Sequence, residues 1–237
     1  MSNPSAEQLF EFGVQCAKWL KRADSRALQV AISSRDHPFW TDLNRHFGQE
    51  SLTDLTTRQI KEWTTLYASL GITLNPAEVA IPPHPEGFDR LIIVPKGMTP
   101  QKAYDLCAEK FPCWKYTDES LDIAVPTHDR TADNGPYAIW IMDTVEADEV
   151  HEDKSADMLT QQGIKGITLT ERLLLELKYF TQAGKHLDIK NWTLCSGSRG
   201  CDGYVPNVCW RGGKLKVGWC SVGDRNGNLR SRAVVSL

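Results

Sequence analysis

Val205-Pro206-Asn207-Val208-Cys209-Trp210-Arg211-Gly212-Gly213-Lys214-Leu215-Lys216-Val217-Gly218-Trp219-Cys220 reads as two strands joined at a glycine turn. Val208 and Trp210 point one way, while Asn207, Cys209 and Arg211 point the other. In the returning strand Leu215, Val217 and Trp219 share one face, opposite Lys214, Lys216, Gly218 and Cys220. This period of two predicts a half-buried hairpin with the valines, Leu215 and both tryptophans in a core. The predicted outer face is unusual, because Gly and Cys bring little strand propensity and no charge, so something other than stability selects them.

Around the hairpin lie two loops rich in turn formers, Gly200-Cys201-Asp202-Gly203 and Ser221 to Asn228, followed by a closing strand from Leu229 to Val235. Upstream, Thr168 and Glu171 form a capping box for a helix to Ala183, with Leu169, Leu173, Leu177 and Phe180 as its apolar stripe and Gly184 as its stop. Tyr137 to Met142 is a continuous apolar run, which predicts a central strand, and the acidic run from Glu146 to Asp153 predicts a solvated loop. Leu91-Ile92-Ile93-Val94 predicts another strand. Thr99-Pro100 then opens a helix that buries Tyr104, Leu106, Cys107 and Phe111.

Before these elements the pattern is helical. Ile60, Trp63, Tyr67 and Leu70 keep helical spacing over 57–70, and Gly71 ends the run; Leu9, Phe12, Val14, Cys16 and Leu20 suggest another helix over 6–21. Pro76, Pro82, Pro83 and Pro85 then exclude both helix interior and central strand. The predicted organisation is therefore an N-terminal helical unit over 1–80, a proline-rich linker over 81–87, and a mixed α/β domain over 88–237. The fold class is α+β.

The chain of 237 residues is 41% apolar and 24% charged, ordinary values for a globular protein. No apolar run approaches the ~18 residues of a membrane span, and no basic segment followed by an apolar one marks the start for secretion, so no membrane contact and a cytoplasmic location are expected. Seven cysteines without a C-x-x-C pair suit reduced thiols rather than a disulfide framework. From Lys190 onward eight Lys and Arg face two Asp, so the remainder of a chain with net charge −3 is acidic.

Cys195-Ser196-Gly197-Ser198-Arg199, Asp202-Gly203, Val205-Pro206, Trp210, Leu215, Val217, Trp219 and Leu229-Arg230-Ser231-Arg232-Ala233-Val234 resemble the C-terminal region of diversity-generating retroelement variable proteins. The likeness is tightest over the last ~70 residues. It implies a C-type-lectin-like domain, 88–237, with a variable region at about 196–237 and an exposed hairpin face. It implies that Tyr137 to Met142 pairs with Arg230 to Val235. It also implies ligand-binding positions that template adenines can rewrite: Gly200, Cys201, Tyr204, Asn207, Cys209, Arg211, Gly218, Cys220, Ser221, Gly223, Arg225, Asn226 and Asn228. The chain departs from the pattern at Asn228-Leu229-Arg230, where members of the family close with Gly-Phe-Arg.

The reading that results is a binding protein without catalysis, cofactor or metal, whose partner is a macromolecular ligand, expected to be a protein. Two alternatives rest on other residues. Exposed Arg199, Arg211, Lys214, Lys216, Arg225, Arg230 and Arg232 suit a nucleic-acid-binding face. His128-Asp129-Arg130 with Asp143, Glu146 and His151 suit a metal-assisted hydrolase. Cys195, Cys201, Cys209 and Cys220 lie in one segment, but at spacings unlike those of a zinc ribbon or finger.

Overall fold

Gln59, Trp63 and Tyr67 stand at successive turns of one helix and send their polar tips to the backbone of a single strand. In the computed structural model, which describes residues 52–237, the elements run in the order α1 (Leu52–Ser69), β1 (Arg90–Val94), α2 (Pro100–Ala108), β2 (Cys113–Lys115), α3 (Leu121–Ala124), β3 (Thr127–His128), β4 (Tyr137–Ile141), α4 (Ala156–Gln161), α5 (Leu169–Ala183), β5 (Trp192–Leu194), β6 (Ser198–Arg199), β7 (Val205–Trp210), β8 (Leu215–Cys220) and β9 (Leu229–Ser231). Helices and sheets together make an α+β unit, and the helix predicted over 6–21 lies outside the described residues.

Trp63 Nε1 donates to Leu91 O (2.8 Å) and Tyr67 OH to Ile93 O (2.5 Å). Gln59 donates to Asp89 O (2.8 Å) and accepts from Leu91 N (2.8 Å). A strand edge left without a partner attracts other chains and exposes unmet backbone groups, so α1 acts as the missing neighbour of β1. This corrects the predicted boundary: α1 shares one core with Leu91, Ile93 and Ile139 and is not part of a separate 1–80 unit. The partners of its buried polar tips lie on the far side of the prolines, which sequence periodicity does not reveal.

The prolines themselves form a strap rather than a linker. Asn75 caps a single 3-10 turn, Pro76–Glu78, Ala80 bridges Tyr137, Pro82 O accepts from Trp140 Nε1 (3.0 Å), and His84 packs edge-on against the Trp140 ring. Proline has no amide hydrogen to donate but keeps its carbonyl, which suits it to accept from a side chain.

β4 runs antiparallel to β1, from Arg90 opposite Ile141 to Val94 opposite Tyr137. On its other side Trp140 and Val235 exchange backbone hydrogen bonds of 3.0 and 2.9 Å. The chain's C-terminal end therefore lies beside β4, in a pairing limited to this one bridge.

A five-stranded sheet, in the order β2-β8-β7-β5-β9, holds the hairpin near its middle. β7 and β8 pair antiparallel, whereas β2 joins β8 and β9 joins β5 in parallel. Thr99 caps α2 with Pro100 at its first turn, and Thr168 with Glu171 closes the capping box of α5, which ends at Gly184 in the left-handed region (φ 62°).

The run Glu146 to Asp153 is not the solvated loop its charge predicts. Asp148 Oδ2 accepts from Ala233 N (2.7 Å), His151 Nδ1 donates to Ser231 O (3.2 Å), and the Glu146 carboxylate accepts from the amides of Lys190 and Asn191. These acidic groups satisfy backbone donors in segments that have no sheet partner there.

Replacing Gln59 by Leu keeps the volume but leaves the Leu91 amide and the Asp89 carbonyl without their partner. A loss of about 1–3 kcal/mol is expected, read as a lower urea midpoint with an unchanged denaturant slope.

Candidate functional site

A buried ionic cluster anchors the sheet that carries the hairpin. Arg172 of α5 donates to Asp188 Oδ2 (2.9 Å) and to Glu176 (2.8 Å). Arg232, from the chain's C-terminal segment, donates to Asp188 Oδ1 (2.8 Å) and to the carbonyls of Thr144 and Val145 (both 3.0 Å). Thr193 of β5 adds its hydroxyl to the same carboxylate. Burial alone would raise the Asp188 carboxyl, but the guanidiniums of Arg232 and Arg172 outweigh it and hold the group below its ordinary value. Four separate segments are thereby fixed to one charged centre.

The two faces of the hairpin depart from simple alternation. Val208, Leu215 and Val217 are buried as predicted, and Trp210 is partly buried in the same core. Trp219 has the same parity but is 49% exposed, a correction to its predicted place inside. It sits at the end of β8, paired across the ladder with Pro206, where the core that covers Leu215 and Val217 has already ended.

The predicted outer face is also corrected. Asn207, Cys209 and Cys220 are buried. Cys220 belongs to a second small core with Ala156, Leu159, Leu194, Val205 and Leu229, because α4 packs over this side of the sheet. Gly218 lies directly across from Asn207, and a Cβ added there would meet Asn207 Oδ1 at 2.9 Å. The glycine is thus explained by the amide that fills its place.

The remaining candidates gather unevenly. Val205 pairs with Cys220, so loops 200–204 and 221–228 leave the sheet at the same end. Cys201, Gly223, Arg225, Asn226 and Asn228 are exposed there, with Gly200, Tyr204 and Ser221 half-buried beside them. Arg211 is exposed at the opposite, turn end, about 20 Å away at the rise of an extended strand.

Both loops are braced. Gly200 N donates to Tyr204 O (2.7 Å) and Cys201 N to Ala124 O (3.2 Å), while Asp224 accepts from Ser221 N (2.8 Å) and Arg225 pairs with Asp153 (2.8 Å). Between them Tyr204 meets Trp219, ring centroids 4.3 Å apart at 52°. Parity with Leu215 and Val217 and the family resemblance both place Trp219 in the scaffold; the covering layer that stops short of it is not visible in the strand's own sequence.

The residues behind the hydrolase reading are dispersed. Arg130 is held by Glu171 (2.7 Å), Asp143 pairs with Arg90, Glu146 and His151 bind backbone groups, and Asp129 is exposed. His128 Nδ1 lies 2.8 Å from Ser198 Oγ, and the same oxygen accepts from Leu169 N (2.9 Å). Burial lowers the His128 pKa below its ordinary value. Among the described residues no group of three or more His, Cys, Asp and Glu is arranged to hold a metal ion. The thiols of Cys209 and Cys220 are pushed up by burial, Cys220 to about 11.

The predicted basic face is likewise reduced. Arg232 is fully buried, a correction to its expected exposure, because Asp188 draws it inside. Arg225 and Arg230 are paired with Asp153 and Glu152. Arg199 donates to the carbonyls of Ser196 and Ser198, and Lys216 lies over the ring of Trp114. Among the described residues no helix is long and apolar enough to cross a membrane.

Gly218→Ala should cost about 1–3 kcal/mol through overpacking, and most of that loss should vanish when Asn207→Ser is present. Additive losses in the double-mutant cycle would show the two positions to be independent. His128 supplies a pH test. Its folded pKa lies below the ordinary 6.5, so the unfolded chain binds the proton first, and the stability present above pH 6.5 declines as pH falls toward the folded value. In His128→Gln the part of the acid-side slope between those two pKa values should disappear from urea midpoints measured across pH. Compared with known proteins, the chain matches no family model, no curated protein and no solved structure.

Proposed function

We propose that this chain is a recognition protein, acting without catalysis, that binds a protein ligand through the loops 200–204 and 221–228. The carrying observation is that both loops leave one end of the sheet around a half-exposed Tyr204–Trp219 pair, while the strands beneath are anchored on the buried Asp188 network. An aromatic pair with one open side offers large contact area at little entropy loss, and Trp and Tyr commonly anchor protein interfaces.

The same reading takes the segment from about 196 as the variable region of a diversity-generating retroelement protein on a C-type-lectin-like domain. Three features support it: the C-terminal end returns to lie beside β4, two main helices pack on the sheets, and the loop-rich segment carries the residues of the resemblance. Substitution at exposed loop positions typically changes stability within ~0.5 kcal/mol, so affinity is free to change there. Asn207, Cys209 and Cys220 are buried and do not have that freedom. The proposed binding set is therefore the two loops, with Arg211 apart from them.

Sequencing the coding locus and its flanks across one population tests the diversification. Substitutions should concentrate in the adenine-derived codons of 200–204 and 221–228, with a template repeat and a reverse-transcriptase gene nearby. Uniform variation, or none, would remove the retroelement reading.

A further inference from the structure

The outer face of the five-stranded sheet is covered over only part of its length. α4 packs on that face against Leu194, Val205, Cys220 and Leu229. Toward the glycine turn the same face is open: Trp114 is 46% exposed, Arg211 and Lys214 are exposed, and Lys216 is half-buried. The register places these residues together. Trp114 stands opposite Lys216 across the β2–β8 ladder, and Lys216 stands opposite Cys209 across the β8–β7 ladder. One pair further along the same face, at the turn, Arg211 N donates to Lys214 O (3.0 Å). With strands about 4.8 Å apart and alternate residues about 6.8 Å apart, the backbones of all three cations lie within about 12 Å of that of Trp114.

No carboxylate partners these cations. Neither the hairpin from Val205 to Cys220 nor the segment from Pro112 to Thr117 contains an Asp or Glu. Among the described residues none of Arg211, Lys214 and Lys216 forms an ion pair. Lys216 Nζ lies 5.8 Å from the centre of the Trp114 ring, near the outer limit of a cation–π contact. Lysines at a sheet edge serve to keep other strands away, but that role gives no reason to leave an indole open among them.

We propose that this open half of the sheet face binds single-stranded nucleic acid, with a base stacked on Trp114 and phosphates held by Arg211, Lys214 and Lys216. A base offers a flat face to the indole and its backbone offers a row of negative charges to the cations, so one ligand uses all four residues. In a duplex the bases are already stacked on one another and present no free face. An acidic peptide would meet the cations, but its carboxylates are repelled by the electron-rich face of the indole. The chain's net charge of −3 opposes this little, because exposed charges more than ~10 Å away are largely screened at 0.1 M salt. The surface lies at the turn end of the hairpin, away from the loops 200–204 and 221–228, and does not rest on the protein-recognition reading.

The test titrates the full-length chain into a fluorescein-labelled oligothymidylate of about twelve nucleotides and follows its anisotropy. Saturable binding with a Kd of about 1–100 µM is expected. The logarithm of the affinity should fall with that of the salt concentration at a slope of about −2, as three phosphate contacts on a single strand require. In Arg211→Gln with Lys214→Gln the slope should fall to about −0.7. Trp114→Leu, which keeps apolar bulk without a flat face, should weaken binding about tenfold, and Trp114→Phe should retain most of it. Urea midpoints show whether each variant keeps the fold. Should Trp114→Leu lose stability, the Arg211 and Lys214 double variant, which alters only exposed side chains, carries the test alone through its slope. No saturable binding, an unchanged slope in that double variant, or full affinity in a folded Trp114→Leu would overturn the proposal. Equal affinity for an oligothymidylate–oligoadenylate duplex of the same length would also overturn it, and equal affinity for polyglutamate would overturn it in favour of a surface for acidic protein.

Discussion

Asp188 sits away from water between the guanidiniums of Arg172 and Arg232, and most of the architecture is arranged so that this charge cluster is satisfied. Removing a partner from a buried ion pair leaves an uncompensated charge at a cost of several kcal/mol. The helix α5, the strand β5, the 144–145 turn and the C-terminal segment are therefore mutually constrained. His186 extends the cluster by bonding Glu176 (2.9 Å) while stacking on Trp210, which ties it to the start of the hairpin turn.

An anchor of this kind explains how a protein can keep a loop surface with few regular elements of its own. The loops at 200–204 and 221–228 hold their shape through short backbone bonds and side-chain caps, and the strands that carry them are anchored toward their other end, where Trp210 N donates to Asp188 O. In the proposed function, recognition would lie on residues whose replacement leaves the core untouched. The buried Asn207–Gly218 pair marks where that freedom stops, because there one side chain fills the space the other would need.

Local chemistry was legible wherever a residue and its partner are close in sequence. The Thr168–Glu171 capping box, the Thr99-Pro100 helix start, the glycine turn at Gly212-Gly213 and the inward valines of β7 and β8 all depend on neighbours within a few residues. The acidic run 146–153, the prolines, Arg232 and Trp219 were misjudged for one reason. Their surroundings are supplied by segments far along the chain, such as Ala233 for Asp148 and Trp140 for Pro82. Composition describes such residues only by their average behaviour, and charged groups are normally solvated.

The sequence by itself determined the α+β class, the capped ends of α2 and α5, the strand periodicity and the loops that bear the candidate site, because propensity, capping and alternation act over a few residues. Only the tertiary structure decided that α1 closes the edge of β1, that Asn207 and Cys209 are buried and Cys220 is sealed by α4, and that Trp219 emerges beside Tyr204. Each of these depends on where the covering layers end. Burial is a property of the packed assembly, and no single strand's alternation contains the outline of the layer that lies upon it.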